Sequence, residues 1–297
     1  MRKPLSFLLK LAVSAGLLFY LFRRTDLGLL WQSLKGVNLF SFGTSVVVFF
    51  LFQMVSAFRW QKTCQALGFE RAYPFFLRVY FIGIYFNTFL PGLLGGDLVR
   101  VFYLVKEGAS KTVASFSVLY DRGFGLLAAM FLLALFLPWQ GDFLPPLAQR
   151  SLFYLTAGGL VLSLALAFGA RHLRERLGQE LFQTLTAVTL PPNFGRLFLL
   201  GLLVQVLFCL HFVFLGESLG LDLPWSRYFL MVPLVGILAS LPVSLGGFGV
   251  REGSLSYLLV LLGYPKELGI ALGFLAYGAM LIGGVVGGVL YLGKKAS

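Results

Sequence analysis

Charge is scarce in this sequence. Asp, Glu, Lys and Arg make up 12% of its 297 residues, about half the share found in a soluble globular domain. No polar stretch is long enough to form a separate soluble unit. Cysteine and histidine are scarcer still: Cys64 and Cys209, His172 and His211. Neither pair has the spacing of a metal site or a disulfide framework, so no metal centre or redox pair is expected. Cys209 and His211 fall in one apolar run; the first reads as a core residue, the second as packed or interfacial. Catalytic signatures are also missing, with no GxSxG, HExxH or Walker loop, so no catalytic residue and no cofactor are expected.

What fills the sequence is apolar. Hydrophobic residues make up 58% and phenylalanine alone contributes 32; the mean hydropathy is +0.87. A helix crosses the hydrocarbon core with about 20 mostly apolar residues. Stretches 5–22, 38–57, 112–137, 150–170, 196–216 and 267–291 meet that requirement, and two more, 73–96 and 228–264, are broken by proline and glycine. The fold class is therefore all-α integral membrane, a polytopic helical bundle with residues 1–297 as one transmembrane domain. The opening MRKPLSFLLKLAVSAGLLFYLFRR resembles a signal peptide but has no small-x-small cleavage site, so it reads as a retained first helix.

The net charge of +12 would raise nucleic acid as a partner in a soluble protein. With no soluble domain to carry such an interface, no nucleic-acid partner is expected, and the excess fits loops that face anionic headgroups. Segment 171–196 holds Arg171, Arg174, Arg176 and Arg196. It is expected on the cytoplasmic face as an interfacial amphipathic helix, with Leu173, Leu177, Leu181 and Leu185 on one side. Loops near 138–149 and 217–226 carry Asp142, Glu217 and Asp222 without Lys or Arg, as an outer face requires.

The most informative feature is an internal repeat, with halves of about 1–150 and 151–297. Residues 90–100 read LPGLLGGDLVR and residues 241–251 read LPVSLGGFGVR, identical at seven of eleven positions. The pairs include Pro91 and Pro242, Gly95 and Gly246, Gly96 and Gly247, and Arg100 and Arg251. Proline cannot continue a helix interior, and paired glycines allow a sharp turn with close backbone approach. Irregular backbone at membrane depth is tolerated only where protein buries it or a watery cavity adjoins it. Each copy therefore predicts a broken or re-entrant helix, with a new helix starting after the glycines. The start of that helix has free N–H groups and a positive dipole end, and an arginine in its first turn suits a phosphate. Interrupted helices at matching places in two halves point to a transporter's binding site. Three full spans separate the motifs, so two re-entrant segments would enter from opposite faces, as an inverted repeat.

Other charges lie deep in apolar sequence, where they are costly and are functional candidates. Asp121 and Arg122 stand about ten residues into one span. Neighbours on a helix do not face each other, so each needs another partner or lines a pathway. Arg78 and Asn87 precede the first break, with Tyr73 and Tyr80 around Arg78 like an aromatic belt. Asp97 suits a helix cap, Glu252 adjoins Arg251, and Arg59 with Trp60 reads as an interfacial anchor at the end of a span.

Four segments together carry a resemblance: RW at 59–60, FNTFLPGLLGGDLVR at 86–100, SVLYDRGFGL at 117–126 and LPVSLGGFGVREG at 241–253. The chain resembles the flippase-like transmembrane family named after the membrane region of lysylphosphatidylglycerol synthase. Asp121 stands where that family commonly has Glu. The resemblance implies a multi-pass protein of the bacterial inner membrane with an inverted repeat around a lipid-sized cavity. The soluble synthase domain is not expected here, so synthase activity is not carried over.

The resulting expectation is a flippase or transporter for an anionic phospholipid, glycolipid or polyprenyl-phosphate-linked lipid. Arg100 and Arg251 would hold the phosphate alternately, helped by Asn87 and the backbone of Gly95, Gly96, Gly246 and Gly247. Arg78, Asp97, Asp121, Arg122 and Glu252 would line the pathway or couple a proton. The rival readings are a membrane-embedded transferase using a lipid-phosphate donor and a non-transporting accessory subunit. Membrane lipids are the expected partners, and the Gly-rich last span, 278–289, would suit packing in a homo-oligomer.

Overall fold

The computed structural model describes residues 12–13, 15–16, 19–21, 23, 25–89, 95–169, 187–188, 191–241 and 247–293. Most of the expected interfacial segment 171–196 and the tips of both Pro/Gly motifs, including Gly246, lie outside the described residues. Among the described residues past Asp26 there are ten helices: α1 (Leu27–Lys35), α2 (Leu39–Ala66), α3 (Tyr73–Phe89), α4 (Gly95–Lys106), α5 (Lys111–Gln140), α6 (Pro146–Gly169), α7 (Pro191–Ser218), α8 (Trp225–Ser240), α9 (Val250–Leu261) and α10 (Lys266–Leu292). No strand occurs among the described residues. Polar caps start the early helices: Asp26, Asn38 and Ser110 each accept backbone N–H bonds at the heads of α1, α2 and α5. Among the described residues four helices, α2, α5, α10 and Asn193–Ser218 of α7, are long and apolar enough to cross a membrane.

The two halves follow one plan. α2 and α7 are each 28 residues long, α3 and α8 are 17 and 16, α4 and α9 are each 12, and α5 and α10 are 30 and 27. α3 and α4 form a hairpin that starts and finishes on one face: Arg71, just before α3, donates from Nη2 to the Glu107 carbonyl, just past α4, at 3.1 Å. The second hairpin, α8 and α9, is closed in the same manner, since the Tyr264 hydroxyl donates to the Asp222 carbonyl at 2.6 Å. Between them α5, α6 and α7 run across the bundle. Arg227, at the head of α8, donates to the Gln140 carbonyl at the tail of α5. Arg78, early in α3, donates to the Leu290 carbonyl at the tail of α10 at 3.0 Å. The hairpins therefore open on opposite faces. At 1.5 Å per residue α3 reaches about 25 Å inward, deep in a hydrocarbon core about 30 Å thick.

Several boundaries differ from the hydropathy reading. α2 runs nine residues past the span expected to end at 57, because Arg59, Trp60 and Gln61 face protein and are all buried. The second interrupted stretch, expected over 228–264, divides into α8, which stops at Ser240, and α9, which begins at Val250. Gly247 and Gly249 there have φ of +80°, which favours glycine.

Lipid supplies little hydrophobic drive between helices, so close packing must do the work. The glycine stripe of α10 does this within the chain. A Cβ at Gly287 would lie 2.0 Å from the Phe81 carbonyl oxygen, and one at Gly284 would lie 3.1 Å from the Thr88 hydroxyl. Gly284 and Gly287 are thus packed against α3, while Gly283 faces Phe49 of α2.

Candidate functional site

Asp121 is the centre of a charged cluster about 15 Å along α5. It is 2% exposed and is bound at both oxygens. Arg59 Nε of α2 donates to Oδ1 at 2.8 Å, and Arg100 Nη2 of α4 donates to Oδ2 at 2.7 Å. The Arg100 guanidinium also lies 4.2 Å from the Trp60 ring centroid and 4.8 Å from that of Tyr80, contacts that favour a cation. Trp60 is fixed in turn, donating from Nε1 to Ser117 Oγ at 3.2 Å. One turn before Arg100, Asp97 takes an ion pair from Arg122 and stands 3.6 Å from Arg100. Asp121 and Arg122, adjacent in sequence, thus find different partners on other helices, as helical geometry requires.

Glycines let these helices close up. Asn87 Oδ1 accepts the Gly96 N–H at 2.7 Å, tying the end of α3 to the head of α4. A Cβ on Gly96 would lie 2.5 Å from the Gly83 carbonyl oxygen, so only glycine fits there. In the second hairpin Glu252 accepts the Gly249 N–H at 2.8 Å and pairs with Arg251 Nη2 at 2.8 Å. It therefore both caps α9 and neutralises its neighbour.

These elements enclose a cavity of about 400 Å³ bordered by Arg59, Asn87, Gly96, Asp97, Arg100, Asp121, Arg122 and Arg251. Gln53, Ser56 and Gln205 add neutral polar groups, and Phe49, Phe52, Phe208 and Phe212 make an aromatic wall. A second cavity, of about 580 Å³, shares Arg122, Gln205, Phe208 and Arg251 with the first.

Of the residues singled out from sequence, Arg100, Arg251, Asn87, Gly96, Asp97, Asp121 and Arg122 come together at the first cavity, with Glu252 behind Arg251. Gly95 opens α4 and Gly247 precedes α9, outside the lining. Arg78 lies elsewhere, donating to the Leu290 carbonyl near the end of α10; Tyr80, expected in an aromatic belt, stacks on Arg100 instead. Asp97 is an ion-pair partner in the first turn of α4, beyond the capping role expected for it. Arg59 corrects the sequence reading most: it is 4% exposed and bound to Asp121, where an interfacial anchor was expected. His211 is packed, with its ring against Phe49, Phe52, Phe208 and Phe212. Its Nδ1 donates to the Ser45 carbonyl at 2.9 Å, which fixes that nitrogen as the protonated one in the neutral ring.

The arrangement can bind an anion inside the membrane. Among the described residues no group of His, Cys, Asp and Glu is placed to hold a metal. No curated protein matches the chain. The family profile described as Lysylphosphatidylglycerol synthase TM region matches residues 7–288. The chain therefore belongs to that family, as a multi-pass membrane protein whose function concerns membrane lipids.

Proposed function

We propose that this protein carries a lipid with an anionic headgroup across the bilayer, the headgroup passing through the cavity while the hydrocarbon chains stay in the membrane. The observation that carries this reading is that Arg59, Arg100, Arg122 and Arg251 all border one cavity, between hairpins that open on opposite faces. A charge at the bilayer centre costs at least about 2.5–3.5 kcal/mol; fixed guanidinium groups and amides offset that by replacing its water. The cavity that shares Arg122 and Arg251 extends the polar route. Asp97, Asp121 and Glu252 are each engaged in ion pairs, which favours a charge-lined passage over an acid or base for group transfer. The sequence has no nucleotide-binding loop, so movement is passive or ion-driven, and the bacterial inner membrane is the proposed site.

The test is a vesicle assay with purified protein and a fluorescent anionic lipid, quenched from outside. Wild-type protein should expose inner-leaflet probe, and Arg100→Ala with Arg251→Ala should slow this about tenfold or more. Unchanged exposure in the double variant would refute the roles given to these arginines.

A further inference from the structure

The ionisable groups that border the cavity differ in how far they are committed. Its arginines and carboxylates are all in ion pairs: Arg59 and Arg100 with Asp121, Arg122 with Asp97, and Arg251 with Glu252 behind it. Two other ionisable side chains border it, Tyr80 and His211. A tyrosine ordinarily titrates near about pH 10, so His211 is the one whose ordinary range lies near neutral. Its ring is built into the wall. The four phenylalanines packed around it line the cavity, and the residue is 1% exposed. Nδ1 is tied to the Ser45 carbonyl of α2, and Nε2 has no hydrogen-bond partner among the described residues. Few charges surround the ring. α2 has no ionisable group between Leu39 and Phe58, and α8 and α10 carry theirs near their ends, Tyr277 apart. On α7 itself Cys209 is the nearest, with Arg196 and Glu217 toward the two ends. α5 offers Asp121 and Arg122, both paired, and α9 offers Arg251 and Glu252, of which Arg251 is the charge whose field reaches the ring.

We propose that lipid movement is coupled to one proton carried on His211 Nε2, so that the anionic headgroup and the proton cross together with no net charge. This rests on the lipid-carrying reading and names its coupling ion. With Nδ1 donating to Ser45, the neutral ring keeps a lone pair at Nε2. A headgroup lying against Arg251 brings its negative charge to the same part of the cavity. An opposite charge within about 4–6 Å favours the imidazolium. The proton comes from water at the face to which the cavity is then open and forms an N–H bond at Nε2. It leaves to water at the opposite face when the anion departs, and no other bond changes. The position of the ring suits this role. Ser45 lies about 21 Å along α2 from Arg59, at 1.5 Å per residue. The head of α2 meets the tail of α7, where Asn38 N–H donates to the Ser218 carbonyl at 2.8 Å, on the face where the second hairpin opens. His211 thus stands apart from the Asp121 cluster, whose ion pairs need not break for the proton to be taken up or released.

The experiment uses the full chain in sealed phosphatidylcholine vesicles with fluorescent phosphatidylglycerol as the anionic lipid. Potassium and valinomycin hold the membrane potential at zero, and the inside is set at about pH 7.5 against about pH 6.5 outside. One proton per lipid requires the fluorescent lipid to gather about tenfold in the alkaline, inner leaflet, a pH unit being a tenfold difference in proton activity. That ratio does not depend on which way the protein is inserted. His211→Asn keeps an amide N–H for the Ser45 carbonyl but takes no proton, and His211→Gln places its amide nearer the position of Nε2. Both variants should still move the lipid yet leave it even between the leaflets, a result that lost stability alone would not give. An even distribution with wild-type protein would overturn the coupling. A tenfold distribution retained by the variants, or loss of all movement in both, would overturn the assignment to His211. If wild-type protein moves the lipid no faster than protein-free vesicles even at equal pH, the lipid-carrying reading itself fails and the coupling falls with it.

Discussion

Replacing Asp121 with asparagine tests the cluster most severely. The substitution keeps the shape but removes the charge that two buried guanidinium groups share at 2.8 and 2.7 Å. Removing one partner of a buried ion pair costs about 3–5 kcal/mol, because it leaves charge uncompensated. That is a large part of the roughly 5–15 kcal/mol that holds a typical fold. At about 2–4 °C per kcal/mol, the apparent melting temperature should fall by roughly 6–20 °C. The protein contains its own reporter, since Cys64 and Cys209 are both buried and a thiol-reactive dye labels them only on unfolding. Replacing the triad with apolar residues of similar size (Arg59→Met, Arg100→Met and Asp121→Leu together) should recover most of the loss, while abolishing lipid transport. An Asp121→Asn protein that melts within about 2 °C of wild type would refute the reasoning that this carboxylate balances two buried charges.

Two further outcomes follow from single contacts. Gly287→Ala should lower stability by about 1–3 kcal/mol, since its Cβ would overlap the Phe81 carbonyl, whereas Gly278→Ala, with its nearest neighbour at 3.9 Å, should be tolerated; dye-monitored melting separates the two. Asp142, in the loop between α5 and α6, is held below the usual carboxylate range chiefly by its bond from Arg227. Its contribution is present above the ordinary value of about 3.9 and is lost as pH falls through the lower folded value. Because Asp142 is largely exposed, Asp142→Asn should cost under about 1 kcal/mol near pH 7, a difference that should vanish once the pH is below the lowered folded value, as melting across pH will show.

Sequence reasoning reached the broken helices because proline and glycine act locally: they stop α3 and α8 wherever the chain goes next. It reached Asp121 and Arg122 because charge in an apolar run is conspicuous. It misplaced Arg59 because a hydropathy window treats the first charge as a span's end, while α2 continues to Ala66. What permits this is a carboxylate 62 positions away, a pairing that no local pattern encodes. The same limit applies to Asp97. A carboxylate in a first turn serves equally as cap or ion-pair partner, and only the position of Arg122 on α5 decides between them. The glycines of α10 likewise announce close packing without saying against what: Gly269 and Gly273 meet α9, Gly283 meets α2, and Gly284, Gly287 and Gly288 meet α3.

Lipid transport by this route requires a phosphate inside the cavity. The most direct measurement is a density map of the protein extracted with its native lipids. It should show headgroup density with phosphate oxygens about 3 Å from the guanidinium nitrogens of Arg59 and Arg100. Lipid density confined to the outer surface of the bundle, with only water between those two arginines, would contradict it.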